Sequence, residues 1–384
     1  MNFEGSLNNK LPQIGPSIFS VMSAMANQHK AINLAQGFPD FDCSPDLKNM
    51  VNKAMQNGHN QYAPMPGLMS LREKIAIKTE QAYSAIYHPE TEITIMPGAT
   101  LAIYAAITAL VKDNDEVIII EPAYDCYIPA VELAGGKAIV YELAFPDYKI
   151  DWNQLKKLIN IKTRLIVINS PHNPTGTILT SEDIRKLEKL IENKDTLILS
   201  DEVYEHIIFD GYEHQSVARY PKLANRSIIV SSFGKTYHTT GWKMGYILAP
   251  ANITVMIRKV YQFMAFAANT PIQHAYAEIL DRTELFTELS AFYQAKRDFF
   301  RQAIKGSKFK QHICNGSYFQ LLGYDKISDL SDMEMAKYLT TEKGLASIPV
   351  SAFYKRKTDH KVLRFCFAKS EETLSRAAEI LCNL

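Results

Sequence analysis

A lysine in a glycine-containing turn is the residue of this sequence that is best suited to chemistry. Lys235 lies in Ser231–Thr236, directly after an apolar run, and its amine could act as a nucleophile or bind a phosphate. The nucleotide-binding motif GxxxxGKS/T requires a glycine at position 229, where this chain has Ile229. No GxGxxG follows a predicted strand, so the dinucleotide fingerprint is missing as well. Taken alone, Lys235 is more simply a solvated turn lysine.

Other polar residues stand where further predicted strands end. Asn173 follows one strand, Asp201 and Tyr204 follow the next, Tyr124 follows a third, and Gly98–Thr100 opens a helix after a fourth. Each has an ordinary structural explanation, as a turn residue before proline, a surface carboxylate or a core aromatic. Ligands of α/β sheets bind at the carboxyl ends of the strands, where these residues would meet Lys235. The pattern therefore predicts a binding site at that edge.

The elements that must position these residues are visible as apolar runs alternating with helical patterns. Several runs are continuous Val, Ile and Leu, as in strands that helices cover on both faces. Two helices are predicted, Leu101–Val111 and Ser181–Glu192, the second capped by Thr180 or Ser181. The alternation predicts an α/β fold with a mostly parallel sheet. The predicted strands are Ile93–Met96, Glu116–Ile120, Ala138–Leu143, Leu165–Asn169, Thr196–Ser200, Ile228–Ser232 and Gly245–Leu248.

The sequence pattern changes near Asp281. Asp281–Lys305 is a long charged helical pattern, and the 384 residues have room for about two or three domains. We expect a large domain over residues 41–280 and a smaller α+β domain built from both chain ends, residues 1–40 and 281–384. The later predicted elements are the strands Ser317–Leu322 and Val362–Phe367 and the helices Asp332–Glu342 and Glu371 onward.

Charge and composition argue against several classes of protein. Lys and Arg (42) nearly balance Asp and Glu (41), and the net charge of +1 gives no electrostatic footprint for nucleic acid or an anionic membrane. The longest apolar stretch, Leu101–Val111, is too short to span a bilayer, and no secretory signal pattern is present. Five scattered cysteines without a CxxC pair disfavour a disulfide framework or a zinc site. We therefore expect a cytoplasmic enzyme with no metal.

Four ordered segments resemble a known family. They are Asn33–Asp40 (NLAQGFPD), Pro171–Pro174 (PHNP), Ser231–Gly245 (SSFGKTYHTTGWKMG) and Leu363–Phe367 (LRFCF). The chain is similar over essentially its whole length to the class I aminotransferases, fold-type-I enzymes that depend on pyridoxal 5'-phosphate (PLP). Within that family it resembles the branch of kynurenine aminotransferases, glutamine transaminases K and bacterial methionine aminotransferases. The resemblance implies a large domain with a mostly parallel seven-stranded sheet between helices, beside a smaller α+β domain.

The resemblance also implies an activity. It implies a homodimer that moves the α-amino group of methionine to a 2-oxo acid, by a ping-pong mechanism through pyridoxamine phosphate. Aromatic amino acids, kynurenine and glutamine are alternative donors. A cysteine-S-conjugate β-lyase using the same cofactor is a further alternative, because elimination depends on the leaving group as much as on the protein. A PLP-binding regulator would need a DNA-binding extension, for which 384 residues leave no room.

The same resemblance implies roles around the cofactor ring. Lys235 would bind the PLP aldehyde covalently and move a proton at the substrate Cα. Asp201 would keep the pyridine nitrogen protonated, because a carboxylate stabilises that charge. Tyr204 and Asn173 would hydrogen-bond the phenolic oxygen, and Tyr124 would stack on the ring.

The resemblance further implies a phosphate site made of a helix N-terminus, a hydroxyl group and a cation. Many relatives have arginine where this chain has Lys243, so a bidentate fork is replaced by a point charge. A tyrosine of the partner subunit would complete the site in the homodimer. The matching residues are Gly98, Ala99, Thr100, Ser232, Lys243 and, across the dimer, Tyr62.

Arg364 matches the family's substrate-carboxylate arginine, with Asn173 and the backbone of Gly37 beside it. A lone strand arginine is usually a surface residue, but a guanidinium fork suits a carboxylate. His172 could contribute to specificity, although a histidine near a turn more often makes a structural hydrogen bond. The sequence leaves that choice open.

Overall fold

The computed structural model describes Met1 and residues 5–384, and a seven-stranded sheet forms its centre. Two smaller sheets, one of four strands and one of two, lie in the remainder of the described chain. The strands are β1 (Ile32–Asn33), β2 (Ile93–Met96), β3 (Glu116–Glu121), β4 (Lys137–Glu142), β5 (Thr163–Asn169), β6 (Leu197–Asp201), β7 (Ser227–Ser232), β8 (Gly245–Leu248), β9 (Lys310–Gln311), β10 (Phe319–Gly323), β11 (Leu345–Ala346), β12 (Ile348–Pro349) and β13 (Val362–Cys366).

Helices separate most of these strands, as the alternating sequence pattern requires. Short 3₁₀ turns at Val217–Arg219, Thr240–Trp242 and Val350–Phe353 connect some of them. The α-helices are α1 (Ile18–Gln28), α2 (Pro45–Gln56), α3 (Met69–Tyr83), α4 (Ala99–Leu110), α5 (Tyr127–Leu133), α6 (Trp152–Leu158), α7 (Ser181–Ile191), α8 (Pro221–Ala224), α9 (Phe233–Thr236), α10 (Ala251–Met264), α11 (Thr270–Ile279), α12 (Glu284–Thr287), α13 (Leu289–Ala303), α14 (Asp332–Glu342) and α15 (Glu371–Cys382).

The large sheet has the order β2-β8-β7-β6-β5-β3-β4 and is mostly parallel. Only β8 runs against its neighbours, pairing antiparallel with both β7 and β2. The register places Asn169 at the end of β5 beside Asp201 at the end of β6. The buried Val, Ile and Leu side chains of these strands pack under helices on both faces, which explains their continuous apolar sequences. The strand ends are thereby held side by side.

The fold class predicted from the sequence is confirmed. All seven predicted strands of the large sheet are present, with ends that differ by two residues at most. Helix α7 begins after Thr180, whose side chain forms a capping box with Asp183, as its position before an apolar pattern indicates. The local sequence was sufficient here because propensity, capping and periodicity agree.

The prediction of one helix over Asp281–Lys305 is wrong. The structure contains two helices instead, α12 and α13, which meet at Glu288. Phe286 of α12 packs in the same apolar cluster as the large sheet, whereas Leu289 and Tyr293 of α13 pack in a second cluster. The chain turns because the two segments bury their apolar side chains in different cores.

The second cluster joins residues that are far apart in the sequence. It contains Met22, Ala26 and Leu34 from the N-terminal region together with the apolar residues of β10, β13, α14 and α15. Strand β1 also pairs parallel with β11, so the two ends of the chain share a small sheet. This packing supports the expected small domain of residues 1–40 and 281–384, and the domain boundaries stay a prediction.

The described residues contain neither a membrane-spanning helix nor a cluster of metal-ligating side chains. Among Met1 and residues 5–384, no helix is both long and apolar enough to cross a bilayer. The same residues contain no group of three or more His, Cys, Asp or Glu side chains arranged to hold a metal ion.

Candidate active site

A cavity of about 390 Å³ lies at the carboxyl ends of the central strands. We call it the strand-end pocket. It brings together every site residue expected from the sequence except Tyr62. Segments from both chain ends and from the ends of five strands of the large sheet, β2, β3, β5, β6 and β7, therefore form one site. The expected residues that line it are Gly37, Gly98, Ala99, Thr100, Tyr124, Asn173, Asp201, Tyr204, Ser232, Lys235, Lys243 and Arg364.

Lys235 lies on the short helix α9, directly after β7. Its Nζ donates to the hydroxyl oxygen of Tyr318 at 3.0 Å and to the carbonyl oxygen of Gly37 at 3.3 Å. Burial lowers the pKa of Lys235 to about 8, because removal from water disfavours the charged amine. Near neutral pH, a larger fraction of this amine is consequently neutral than for an ordinary lysine. A neutral amine is the form that can attack an aldehyde or accept a proton.

Asp201 ends β6 with its carboxylate inside the pocket. Burial raises the pKa of Asp201 to about 6, and a hydrogen bond from the Tyr127 hydroxyl to Oδ2, 2.5 Å long, opposes that rise. The backbone N–H of Val203 donates to Oδ1 at 3.3 Å. A carboxylate has about four acceptor positions, so this one can still accept a donor from the pocket. Asp201 is therefore suited to hold a protonated ring nitrogen.

Arg364 is one of the most deeply buried side chains, with 1% of its surface exposed. Its Nη1 donates to Asn173 Oδ1 at 2.7 Å and its Nη2 to the Ala35 carbonyl at 2.9 Å, while Nε has no hydrogen-bond partner among the described residues. Burial lowers the pKa of Arg364 to about 10. Its direct partners are neutral acceptors, so the guanidinium keeps an uncompensated charge. Such a group is suited to bind a carboxylate.

The rings of Phe19, Phe319 and Phe353 surround the Arg364 guanidinium. Its carbon lies 3.9 Å from the ring centre of Phe319, 5.1 Å from that of Phe19 and 5.2 Å from that of Phe353. These cation–π contacts stabilise a charge that has lost its water. They also keep the fork of the arginine in one orientation.

A cradle for an anion lies at the N-terminus of α4. Gly98 precedes this helix with φ of +84°, a conformation that disfavours a side chain. A Cβ added to Gly98 would lie 3.3 Å from Cε and 3.5 Å from Nζ of Lys243. A Cβ on Gly245 would lie 2.5 Å from the Ser231 carbonyl oxygen, so glycine is required for β8 to approach this closely. Free helix N–H groups, the Ser232 hydroxyl and a lysine thus surround one space, as a phosphate requires.

Comparisons with known proteins agree with this arrangement. The family model of class I and II aminotransferases matches residues 29–381. The chain belongs to the class I and II aminotransferase family. It is 47% identical to methionine aminotransferase from Escherichia coli (strain K12) over 377 residues, which are 98% of each chain. It is 32% identical to kynurenine–oxoglutarate transaminase from Dictyostelium discoideum, covering 100% of this chain and 98% of that protein.

A solved structure shows the same fold. YbdL from Escherichia coli, a protein with a methionine aminotransferase function, superposes with a TM-score of 0.97 at 46% identity, covering 99% of this chain and 100% of that one. The kynurenine branch expected from the sequence is also represented among the relatives. The resemblance inferred from the four sequence segments is confirmed.

Class I aminotransferases depend on PLP, and the strand-end pocket fits this cofactor. The Gly98 cradle with Lys243 matches the phosphate, and the amine of Lys235, whose pKa is lowered by burial, matches the aldehyde. The carboxylate of Asp201 matches the pyridine nitrogen, and Tyr124 supplies an aromatic face. The phosphate, the aldehyde, the ring nitrogen and the ring face of the cofactor therefore each have a complementary group in the aminotransferase pocket.

Tyr62 and His172, the second of which was only a candidate for specificity, lie outside this aminotransferase pocket. Tyr62 is 82% exposed, and its ring contacts Phe266 edge-on, with ring centroids 5.3 Å apart. His172 is buried and faces a neighbouring cavity, where its Nδ1 shares a hydrogen bond with the Thr175 hydroxyl at 2.7 Å. Burial lowers the pKa of His172 to about 4, so the imidazole is neutral. These contacts favour the structural explanation of His172 over a role in specificity.

The sequence did not single out several residues of the aminotransferase site. Phe19 and Ser20 reach the pocket from α1, and Gln36 lies beside them. Tyr318 contacts Lys235, and Tyr127 contacts Asp201. Tyr318 and Tyr127 are buried aromatic residues, and nothing in a single sequence separates such a residue from an ordinary core tyrosine.

Proposed function

We propose that this PLP-dependent aminotransferase uses methionine as its amino donor and a 2-oxo acid as its acceptor. The observation that carries the proposal is the strand-end pocket, in which a lysine amine with a lowered pKa and an arginine without a charged hydrogen-bond partner among the described residues face the same space. One of these groups suits an aldehyde and the other suits a carboxylate. The 47% identity to methionine aminotransferase supports methionine as the donor.

The walls around Arg364 support a donor with an uncharged side chain. Phe19, Tyr124 and Phe319 line this part of the pocket. The rings of Phe19 and Tyr124 lie 6.4 Å apart, centroid to centroid. Sulfur makes favourable contacts with aromatic rings, so a thioether fits between such walls. An aromatic side chain is the second possibility, because edge-to-face ring contacts are also favourable.

Proton transfer is assigned to Lys235 in this proposal. When bound, the cofactor supplies an aldehyde that takes up the amino group and a ring that withdraws electrons from the substrate Cα. Burial lowers the pKa of the Lys235 amine to about 8. This amine would accept the proton of the substrate Cα and would return a proton to the carbon of the cofactor's aldehyde group. Proton transfer of this kind contributes about 10²- to 10⁴-fold to a rate. Asp201, as a carboxylate, holds the proton on the ring nitrogen.

The remaining residues orient the reacting molecules. Arg364 binds the substrate carboxylate, and its bond to Asn173 fixes the plane of the guanidinium. Tyr204 is buried against Tyr318, with ring centroids 5.1 Å apart, and burial keeps its hydroxyl protonated by raising the pKa. In our proposal Tyr204 and Asn173 donate to the phenolic oxygen of the cofactor, and Tyr124 packs against its ring. A fixed orientation of this kind lowers the entropic cost of the reaction.

A panel of amino donors and 2-oxo acid acceptors tests the proposed substrate. The purified protein with PLP is assayed with methionine, phenylalanine, kynurenine, glutamine and aspartate, each with several acceptors, and the Lys235→Ala protein is the control. We expect methionine to give the highest kcat/KM and aspartate the lowest. A higher kcat/KM for aspartate would overturn the proposal, and a preference for kynurenine would move the protein to that branch. Pyruvate and ammonia released from a cysteine conjugate, without transfer to an acceptor, would instead indicate a β-lyase.

We also propose that the enzyme is a homodimer in which Tyr62 reaches the partner's phosphate site. Tyr62 lies on an exposed apolar surface with Phe263, Met264 and Phe266, and Phe263 is 87% exposed. Large exposed apolar patches mark interaction sites. Sedimentation equilibrium should give twice the chain mass, and Phe263→Asp should weaken both the dimer and cofactor binding. Ile161→Asp, a change at another fully exposed residue, is the matched control.

The cytoplasm is the compartment that we propose for this enzyme. The five cysteines are all free, and four of them are buried. Unpaired cysteines are typical of a reducing compartment. Fractionation of cells that make the protein would test the proposal, and recovery from another compartment would contradict it.

A further inference from the structure

Tyr127 makes the shortest contact to Asp201 and has no role in the proposal above. It begins α5, and its hydroxyl donates to Oδ2 of Asp201 at 2.5 Å. The two residues are 74 positions apart in the chain, and both are almost completely buried. Asp201 faces the strand-end pocket, whereas Tyr127 lines the neighbouring cavity. The tyrosine therefore reaches the carboxylate from outside the pocket and leaves the pocket side of Asp201 open.

The other hydrogen bonds of Asp201 hold its backbone more than its carboxylate. Its carbonyl oxygen accepts from Asn169 Nδ2 at 2.8 Å and from the Ser170 N–H at 3.2 Å. Among the described residues, the carboxylate itself receives only the weaker 3.3 Å contact from Val203 besides the bond from Tyr127. Without the Tyr127 hydroxyl, one buried carboxylate oxygen would lose its only donor among the described residues. Tyr127 is thus the main contact that orients the carboxylate.

We propose that Tyr127 is a positioning residue, whose hydroxyl orients the Asp201 carboxylate toward the ring nitrogen of PLP and keeps it ionised. This inference rests on the proposed role of Asp201.

The surrounding charges show why one neutral donor matters. Burial raises the pKa of Asp201 to about 6, the Tyr127 bond lowers it, Lys235 lowers it, and Glu202 raises it. The carboxylate is therefore close to protonation at neutral pH, and a protonated Asp201 cannot stabilise a pyridinium. The Tyr127 phenol remains a donor over the working pH range, because burial raises its pKa well above the ordinary value.

A purely structural role for Tyr127 is the competing explanation. Its ring packs edge-on against Tyr124, with centroids 5.9 Å apart, and this contact would survive the loss of the hydroxyl. Tyr127→Phe therefore separates the two roles, since it removes one oxygen and keeps the ring. Tyr148→Phe is the matched control, because Tyr148 is a buried tyrosine whose hydroxyl has no partner among the described residues.

The experiment compares the holoenzyme forms of wild type, Tyr127→Phe and Tyr148→Phe. We measure kcat against pH, the absorbance of the bound cofactor against pH, and the dissociation constant of PLP. In Tyr127→Phe we expect the acid limb of the kcat profile to move up by about one pH unit, kcat at neutral pH to fall about tenfold, and KM to change little. The pH midpoint at which the absorbance of the bound cofactor changes should differ from that of wild type. Tyr148→Phe should match wild type in all three measurements.

A second variant acts in the opposite direction and does not remove any packing. Replacement of Tyr127 by 3,5-difluorotyrosine makes the phenol a stronger donor and should move the acid limb to lower pH. This variant also answers the question if Tyr127→Phe folds poorly. An unchanged pH profile and absorbance titration in both variants would overturn the inference.

Asp201→Ala, measured in parallel, separates the inference from the function on which it rests. If Asp201→Ala loses most turnover while both Tyr127 variants behave as wild type, the role of Tyr127 is wrong and that of Asp201 stands. If Asp201→Ala retains near-normal turnover, the assignment of Asp201 fails and the inference fails with it.

Discussion

Two groups of buried charges lie within a few residues of each other and differ in how completely they are paired. The first, which we call the paired cluster, consists of Lys78, Tyr83, Glu205, Ser231 and Tyr246. Glu205 Oε1 accepts from Lys78 Nζ at 2.8 Å, from the Ser231 hydroxyl at 2.5 Å and from the Tyr246 hydroxyl at 3.1 Å, and Oε2 accepts from Tyr83 at 2.5 Å. The second group is the pocket cluster of Asp201, Lys235 and Arg364. Its hydrogen bonding is incomplete, because Arg364 Nε has no partner among the described residues and Lys235 Nζ contacts neutral oxygens.

The pKa values of the two groups move in opposite directions. In the paired cluster, burial alone would neutralise the charges, but Lys78 lowers the pKa of Glu205 below its ordinary value and Glu205 raises that of Lys78. In the pocket cluster, burial prevails, so the pKa falls for Lys235 to about 8 and rises for Asp201 to about 6. The paired charges stay charged, whereas the pKa values of Lys235 and Asp201 lie close to neutral pH. The second condition is the one that proton transfer and ligand binding require.

The alternation of strand β7 separates the two groups. Successive strand residues point to opposite faces, so Ser231 joins the paired cluster while Ser232 lines the pocket. After β6, the neighbouring residues Tyr204 and Glu205 are separated in the same way, because Tyr204 lines the pocket and Glu205 belongs to the paired cluster. The paired cluster therefore lies directly behind the site and stabilises the two strand ends that carry it.

The largest expected effect comes from removing the amine of the pocket cluster. Lys235→Ala should lose the borohydride-reducible adduct with PLP and about 10⁴-fold of turnover, because no other group can take over the covalent bond and the proton. The free energy of unfolding without cofactor should change by less than about 1 kcal/mol, since the amine has only neutral partners. Mass spectrometry after borohydride reduction measures the adduct. Lys369→Ala is the control, because it removes another buried lysine and should retain the reducible adduct. An adduct that persists in Lys235→Ala would refute the assignment.

The paired cluster should show the reverse pattern. Lys78→Met leaves the Glu205 carboxylate buried without its counter-ion, which should cost about 3–5 kcal/mol of unfolding free energy. Lys74→Met is the control on the same helix, because Lys74 pairs with Asp281 at the surface and should contribute at most about 1 kcal/mol. Denaturant unfolding without PLP measures both changes. Equal losses in the two variants would show that the buried pair is no different from a surface pair.

Loss of the arginine fork should affect substrate binding more than folding. Arg364→Lys keeps the charge but removes the bidentate geometry, so KM for the amino acid should rise about 10- to 100-fold, equivalent to about 1.5–3 kcal/mol. Arg297→Lys is the contrasting variant, because both Nη atoms of Arg297 already donate to the Asp210 carboxylate, Nη1 at 2.6 Å and Nη2 at 2.7 Å. That change should lower stability and leave KM unchanged. Steady-state kinetics and thermal melts distinguish the outcomes, and an unchanged KM in Arg364→Lys would contradict carboxylate binding.

The smallest expected effect tests the contact between Tyr318 and Lys235. The Tyr318 oxygen accepts from Lys235 Nζ, so it favours the charged amine, and Tyr318→Phe should lower the pKa of Lys235 by about half a unit to one unit. PLP uptake by the cofactor-free protein needs the neutral amine, so its rate should rise with pH through about 8 in wild type and through a lower value in the variant. Stopped-flow absorbance measures this rate. Tyr293→Phe, which removes a buried hydroxyl without a partner among the described residues, should leave the midpoint unchanged.

The sequence predicted the strands of the large sheet and the residues at their ends, because these features are local. Asp201 and Asn173 follow apolar runs, and the Gly98–Thr100 segment opens a helix after a strand. The break at Glu288 was not predictable in this way, since Phe286 and Leu289 belong to different apolar clusters and both look helical in isolation. The roles of the site residues stay predictions until the variants are measured.

The sequence by itself determined the α/β fold and the strand-end residues, because these depend on patterns within a few residues, and four segments of it carried the resemblance to the family. Only the tertiary structure decided which residues surround them. Tyr127 meets Asp201 across 74 residues, Tyr318 meets Lys235 across 83, and Glu205 meets Lys78 across 127. The physical reason is that burial and hydrogen bonding depend on neighbours in space. These neighbours keep one group of charges fully paired and, in the other, bring the pKa values of Lys235 and Asp201 close to neutral pH.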